Sequence, residues 1–122
     1  MILDGTKNFS KVEVSTGYDD NDTSIDLIGG DGAKLPNEPF NAVWWNFTDY
    51  PSPTDDPDVE IVRVTGISTD TLTIVRAQEG TSAVAHNTVG KTYKMIAGLT
   101  SKTMTDIDNS LSSFSKLFLL GM

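Results

Sequence analysis

Two alternating runs, "VEIVRVTGI" (59–67) and "TLTIVRA" (71–77), are separated by three residues, and no other feature constrains the fold as tightly. In the first run Val59 and Ile61 alternate with Glu60, and Val62 and Val64 with Arg63 and Thr65. A period of two places successive side chains on opposite faces of a strand. The link "STD" has room only for a turn, so the pair predicts a β-hairpin. An isolated hairpin is marginal in water, so other strands must extend the sheet.

Candidate partners lie on both sides. "FSKVEV" (9–14) places Phe9, Val12 and Val14 on a short strand with a register break, and "SIDLI" (24–28) places Ile25 and Leu27 on one face. "FNAVWWNFT" (40–48) reads as a strand with Phe40, Ala42 and Trp44 on one side and Val43, Trp45 and Phe47 on the other. Apolar residues on both faces imply that a second sheet or another subunit covers the outer one. "KTYKMIAG" (91–98) supplies one more strand. Between these runs, "GGDGAKLPNEP" offers several positions suited to positive φ, and the prolines of "DYPSPTDDPD" confine it to a surface loop. The expected fold is all-β, a small sandwich or barrel of about six strands, with a C-terminal amphipathic helix.

The period changes at Thr100. Met104, Ile107, Leu111, Phe114 and Phe118 follow a 3-4-3-4 spacing, a helical seam over two heptads. Thr100 or Ser101 is placed to cap the helix, and Asp106 and Asp108 lie toward its positive end. Intervening serines and threonines lower helix propensity, so the segment needs packing. The spacing serves equally a helix lying on its own sheet and one that associates with another copy. The chain divides into a β-rich domain (1–98) and a helical segment (99–122).

Composition removes several classes of function. The chain has 122 residues and a formal net charge of -8, with 17 Asp and Glu against 9 Lys and Arg. A nucleic-acid partner needs a basic face, and an anionic membrane surface is disfavoured for the same reason. Without cysteine there are no disulfides, thiolate metal sites or thiol nucleophiles. "MILDGTKNFS" lacks the pattern of a signal peptide, and no run approaches the ~18 apolar residues of a membrane span, so synthesis in a cytosol is expected.

"RAQEGTSAVAH" (76–86) concentrates the residue types that catalysis uses, including the only histidine. Ser82 and His86 stand four apart without a nucleophile elbow. Glu60 and Glu79 could pair for glycoside cleavage, or serve as surface charge or as structural partners of Arg63 or Arg76. One histidine among carboxylates does not make a metal site. Asp19, Asp20, Asp22, Asp26 and Asp31 miss calcium-loop spacing, and Asp55, Asp56 and Asp58 sit among prolines; both groups read as solvated acidic loops. Trp44 and Trp45 would offer a sugar at most one ring, and core for both is the simpler expectation.

The matching residues Glu60, Ile61, Val64 and Thr65, then Thr71, Leu72, Thr73, Arg76, Gln78, Glu79, Gly80, Thr81, Ala85, His86, Gly90 and Tyr93, carry a resemblance. Across roughly 24–98 the chain resembles a small module of tailed-bacteriophage virion structural proteins, often near the start of tail-fibre or appendage proteins. The resemblance implies assembly rather than turnover. It implies an anchor or adaptor in the virion, made in the host cytoplasm, commonly trimeric and contacting capsid or tail proteins, with no cofactor and no catalytic residues. Residues 1–98 would then be the virion-attachment domain. A capsid decoration protein or head fibre is an alternative part, and a carbohydrate-binding module for host glycans an alternative class. On this reading Met104, Ile107, Leu111, Phe114 and Phe118 form the oligomer interface. Arg76, Gln78, Glu79, Gly80, Thr81 and His86 hold one loop in shape: Gly80 permits the turn, Glu79 and Thr81 bond backbone amides, Arg76 brings five donors and His86 fastens the far end.

Overall fold

The computed structural model describes residues 3–98 and 100–120, with side chains as far as Ser112. Six antiparallel strands form one sheet: β1 (Lys11–Glu13), β2 (Ser24–Asp26), β3 (Phe40–Asn46), β4 (Glu60–Ser68), β5 (Thr71–Gln78) and β6 (Tyr93–Ile96). Their order is β1-β6-β3-β4-β5-β2. The sheet curls into a half-barrel. Just past its two edge strands, Val14 bridges Leu27, with Ser15 N–H donating to Asp26 O and Ile28 N–H to Glu13 O. The expected barrel-like β architecture is therefore present as one curled sheet, followed by helix α1 (Ser101–Leu120). No helix of the described residues is long and apolar enough to cross a membrane.

Alternation builds the core. Val12, Ile25, Phe40, Ala42, Trp44, Val62, Val64, Leu72, Ile74 and Met95 all face inward and are buried. The central register, Phe40 with Val64, Ala42 with Val62 and Trp44 with Glu60, continues this row directly into a carboxylate. The β4–β5 hairpin closes through Thr69 and Asp70, since Ser68 pairs Thr71.

Several local expectations are revised. Phe9 belongs to no strand; it sits in a turn before β1, at φ 59° and almost wholly in water. At Trp45 the outer side of β3 is covered within the chain, without a second sheet. The chain's own 47–58 loop does this: the Trp45 indole donates to Tyr50 O at 2.8 Å, and buried Asp56 accepts from Asn46 N–H at 2.9 Å and Asp58 N–H at 2.8 Å. Asp56 is therefore an organiser of that loop and not one of its solvated charges. Likewise Asp31 is buried, and its carboxylate accepts from Glu13 N–H at 2.8 Å. In "GGDG" only Gly30 takes positive φ, at 89°. Gly32 is required for a different reason: a Cβ there would stand 1.8 Å from Thr69 O.

Candidate functional site

Glu60 opens β4 on its inward face and is fully buried. An ionised carboxylate in such a place needs donors on both oxygens. Arg76, on the inward face of β5, supplies two, Nε to Oε2 and Nη2 to Oε1, each at 2.8 Å. Ala77 N–H donates at 3.0 Å and Val84 N–H at 3.2 Å. His86 Nε2 lies 3.0 Å from Oε1, and because the carboxylate only accepts, that nitrogen carries the hydrogen. Burial alone would raise the Glu60 pKa, but the donors of Arg76, His86, Ala77 and Val84 outweigh it and hold it at about 2.

The guanidinium is equally satisfied. Beyond its two bonds to Glu60, Nη1 donates to Asp19 O at 2.7 Å and Asp22 O at 2.9 Å, and Nη2 donates to Val84 O at 2.7 Å. That uses all five donors. Its face lies 5.0 Å from the Trp44 ring, and His86 stacks on the same indole at 4.0 Å between centroids. His86 also pairs through its backbone with Tyr18 and meets Tyr93 edge to face. Among the described residues, the Trp44 indole N–H is the single buried side-chain donor without a partner.

A bulge makes this possible. One residue of β4 between Ile61 and Arg63 faces two of β5, Arg76 and Ala77. Ala77 takes φ 55°, and its freed N–H turns to Glu60. The turn that follows has positive φ at both central residues, Glu79 at 53° and Gly80 at 82°, and closes with Thr81 N–H on Gln78 O. Thr81 Oγ accepts from Ile61 N–H and donates to Gln78 O, while the Gln78 side chain donates to Arg76 O. Arg76, Gln78, Thr81 and His86 thus join in one connected arrangement around the turn at Gly80, while the Glu79 side chain leaves it.

Glu79 belongs to a second network, on the outer side of the sheet. Its Oε1 accepts from Lys102 N–H and its Oε2 from Asn41 Nδ2, both at 2.8 Å, so it caps the start of α1. Burial raises its pKa, but Asn41, the Lys102 amide and Thr100 more than compensate, and the net shift is downward. Asn41 Oδ1 in turn accepts from Arg63, whose guanidinium grips Asp4 with two bonds at 3.0 and 3.1 Å. Lys102 reaches Asp4 at 3.5 Å and also pairs with Asp106. Asn41, a buried amide near the start of an apolar strand, was the available sequence signal for this cluster; Asp4, Arg63 and Lys102 had none, being separated by 59 and 98 positions.

These placements bear on the candidate chemistries. Glu60 and Glu79 serve separate networks and share no cleft. His86 is buried with Nε2 committed to Glu60, and Ser82 is exposed. Both tryptophans are buried, so neither presents a ring to a sugar. Of the expected helix interface, Met104 and Leu111 are exposed by 54% and 62% and Ile107 is half-buried; the side chains of Phe114 and Phe118 lie outside the described residues. Compared with known proteins, the chain matches no family model and no curated sequence.

Proposed function

We propose that this protein is a non-enzymatic structural component of a tailed-bacteriophage virion, an anchor or adaptor that self-associates through α1 and contacts capsid or tail proteins with its β-body. The residues with catalytic potential support this reading because they are spent internally: Glu60, Arg76 and His86 satisfy one another inside the curled sheet. The resemblance of residues 24–98 to virion modules supports it from the sequence side. The observation that carries it is the state of α1. The helix is held by polar groups of its first two turns, through Glu79, Asp4 and Lys102, while Met104 and Leu111 of its apolar seam face solvent. A seam of this period is what a second helix packs against.

Light scattering on the wild type and on Leu111→Asp tests the proposal. The wild type is expected to be oligomeric, with a trimer the expected state, and the variant monomeric with an unchanged β-body. A wild type that stays monomeric at high concentration overturns it.

A further inference from the structure

The described part of α1 has little apolar hold on the β-body. None of its described side chains is fully buried, Met104 and Leu111 of the seam are exposed, and half-buried Ile107 shares a cavity of about 220 Å³ with Leu3 and Thr6 of the N-terminal segment. Apolar contact this loose contributes little, so charge sets the position of the helix.

The charges meet at Asp4. Its carboxylate is 6% exposed and lies between two cations from different elements. Arg63 of β4 donates to Oδ1 at 3.0 Å and to Oδ2 at 3.1 Å, and Lys102 of α1 reaches the same Oδ2 at 3.5 Å. The segment carrying Asp4 is itself fastened to the β-body, by Gly5 N–H on Pro39 O and Lys7 Nζ on Ala33 O. Arg63 and Lys102 are thus like charges gathered round one anion. Their opposition shows at the Lys102 ammonium: Asp106 raises its pKa, burial lowers it, Asp4 raises it and Arg63 lowers it, with a net upward shift. Two other carboxylates lie at this junction, and neither bridges the cations. Glu79 bonds the Lys102 amide and the Asn41 carboxamide, and Asp106 pairs with Lys102 within α1.

We propose that Asp4 is a charge latch: ionised, it ties α1 to β4, and with its charge removed or screened the start of α1 parts from a β-body that stays folded. The latch opens actively, because Arg63 and Lys102 remain to repel each other once their shared anion is gone. It also bears on the apolar seam. Thr103, Asp106 and Ile107 face the N-terminal segment together, so the latched helix keeps Ile107 turned to that segment, and the unlatched helix offers it alongside Met104 and Leu111. That use of the latch rests on the self-association reading above; the latch itself does not.

The chain has no cysteine, so Ile107→Cys provides a unique thiol whose reaction with N-ethylmaleimide reports whether the latch is closed. The measurement is made on the full chain carrying Leu111→Asp, so that no second helix shields position 107. Raising the salt concentration screens the attraction and should speed labelling. Asp4→Asn should speed it roughly threefold at low salt, with tryptophan fluorescence unchanged. In that variant added salt should slow labelling, because repulsion is what remains to be screened. Adding Lys102→Met to Asp4→Asn removes the repulsion and should return the rate toward its starting value. A rate indifferent to Asp4→Asn overturns the latch, as does salt acting in the same direction on both proteins, or Lys102→Met without rescue. If Asp4→Asn unfolds the β-body, the chain with Asp4 intact decides by its salt response, and no acceleration overturns the latch. Self-association is read separately, by light scattering on the wild type, so a monomeric wild type removes that reading while labelling still decides the latch.

Discussion

Arg76 and Glu60 meet inside the curled sheet as a bidentate pair, both contacts at 2.8 Å, and every N–H of the guanidinium has an acceptor. The pair joins the first residue of β4 to the sixth of β5 and draws in the carbonyls of Asp19, Asp22 and Val84 from two separate loops. It is the node at which the 19–22 loop, the hairpin and the 79–92 connection are tied.

Removing one member should be far worse than removing both. Arg76→Ala leaves a buried carboxylate without its cation and should lower stability by about 3–5 kcal/mol in urea denaturation. Arg76→Lys should remain strongly destabilised, because an ammonium has three donors and no planar fork. The double variant Glu60→Gln, Arg76→Met should lose less than Arg76→Ala alone. An Arg76→Ala protein with an unaltered urea midpoint would remove the pair from the account of stability.

Acid should act through the same carboxylate. The Glu60 pKa is depressed from 4.5 to about 2, so its stabilisation is complete above pH 4.5 and is lost as the pH falls toward 2. The loss is on the order of 3 kcal/mol. Glu79 and Asp4 are shifted in the same direction and add to it. Glu60→Gln should start less stable at pH 7 and show a shallower decline between pH 4.5 and 2. Equal slopes for the two proteins would contradict the assignment.

Glu79 should control the helix rather than the sheet. Glu79→Ala uncaps the Lys102 amide and frees Asn41, at a cost of about 0.5–2 kcal/mol to the start of α1. Hydrogen exchange should accelerate at residues 101–105 while protection in β3 and β4 persists. Loss of protection throughout the β-body would instead place Glu79 in the core network.

Gly29 and Gly32 should respond oppositely to alanine. Position 29 meets nothing within 4 Å, so Gly29→Ala should change stability by less than about 1 kcal/mol. At position 32 the new Cβ would collide with Thr69 O and displace the loop from Asp70, which accepts from Gly30 N–H and Gly32 N–H. The Gly32→Ala protein should melt several degrees lower.

The loop around "RAQEGT" shows how far local reading reaches. Its composition suffices to suggest a fastened connection, and Arg76, Gln78, Thr81 and His86 bond within it around the turn at Gly80, whereas Glu79, expected to bond nearby amides, reaches Asn41 and Lys102 instead. What each one fastens was not legible. Glu79 is adjacent in sequence to the Glu60 network and belongs to another, because consecutive positive φ values at 79 and 80 turn it to the outer side. Phe9 shows the converse: its spacing with Val12 and Val14 looks like a strand, but the chain enters the sheet only at Lys11.

Sequence alone determined the elements. The hairpin, the inward rows of β3 to β5 and the change of period at Thr100 are written in neighbouring residues, because strand and helix geometry repeat over two and 3.6 positions. Tertiary structure decided the contacts that give those elements meaning. Glu60 reaches Arg76 across 16 positions and His86 across 26, and Arg63 reaches Asp4 across 59. Such pairs depend on register, on the bulge at Ala77 and on the curl of the whole sheet. None of these is a property of any short stretch, so the same charged residues read as surface until the sheet closes around them.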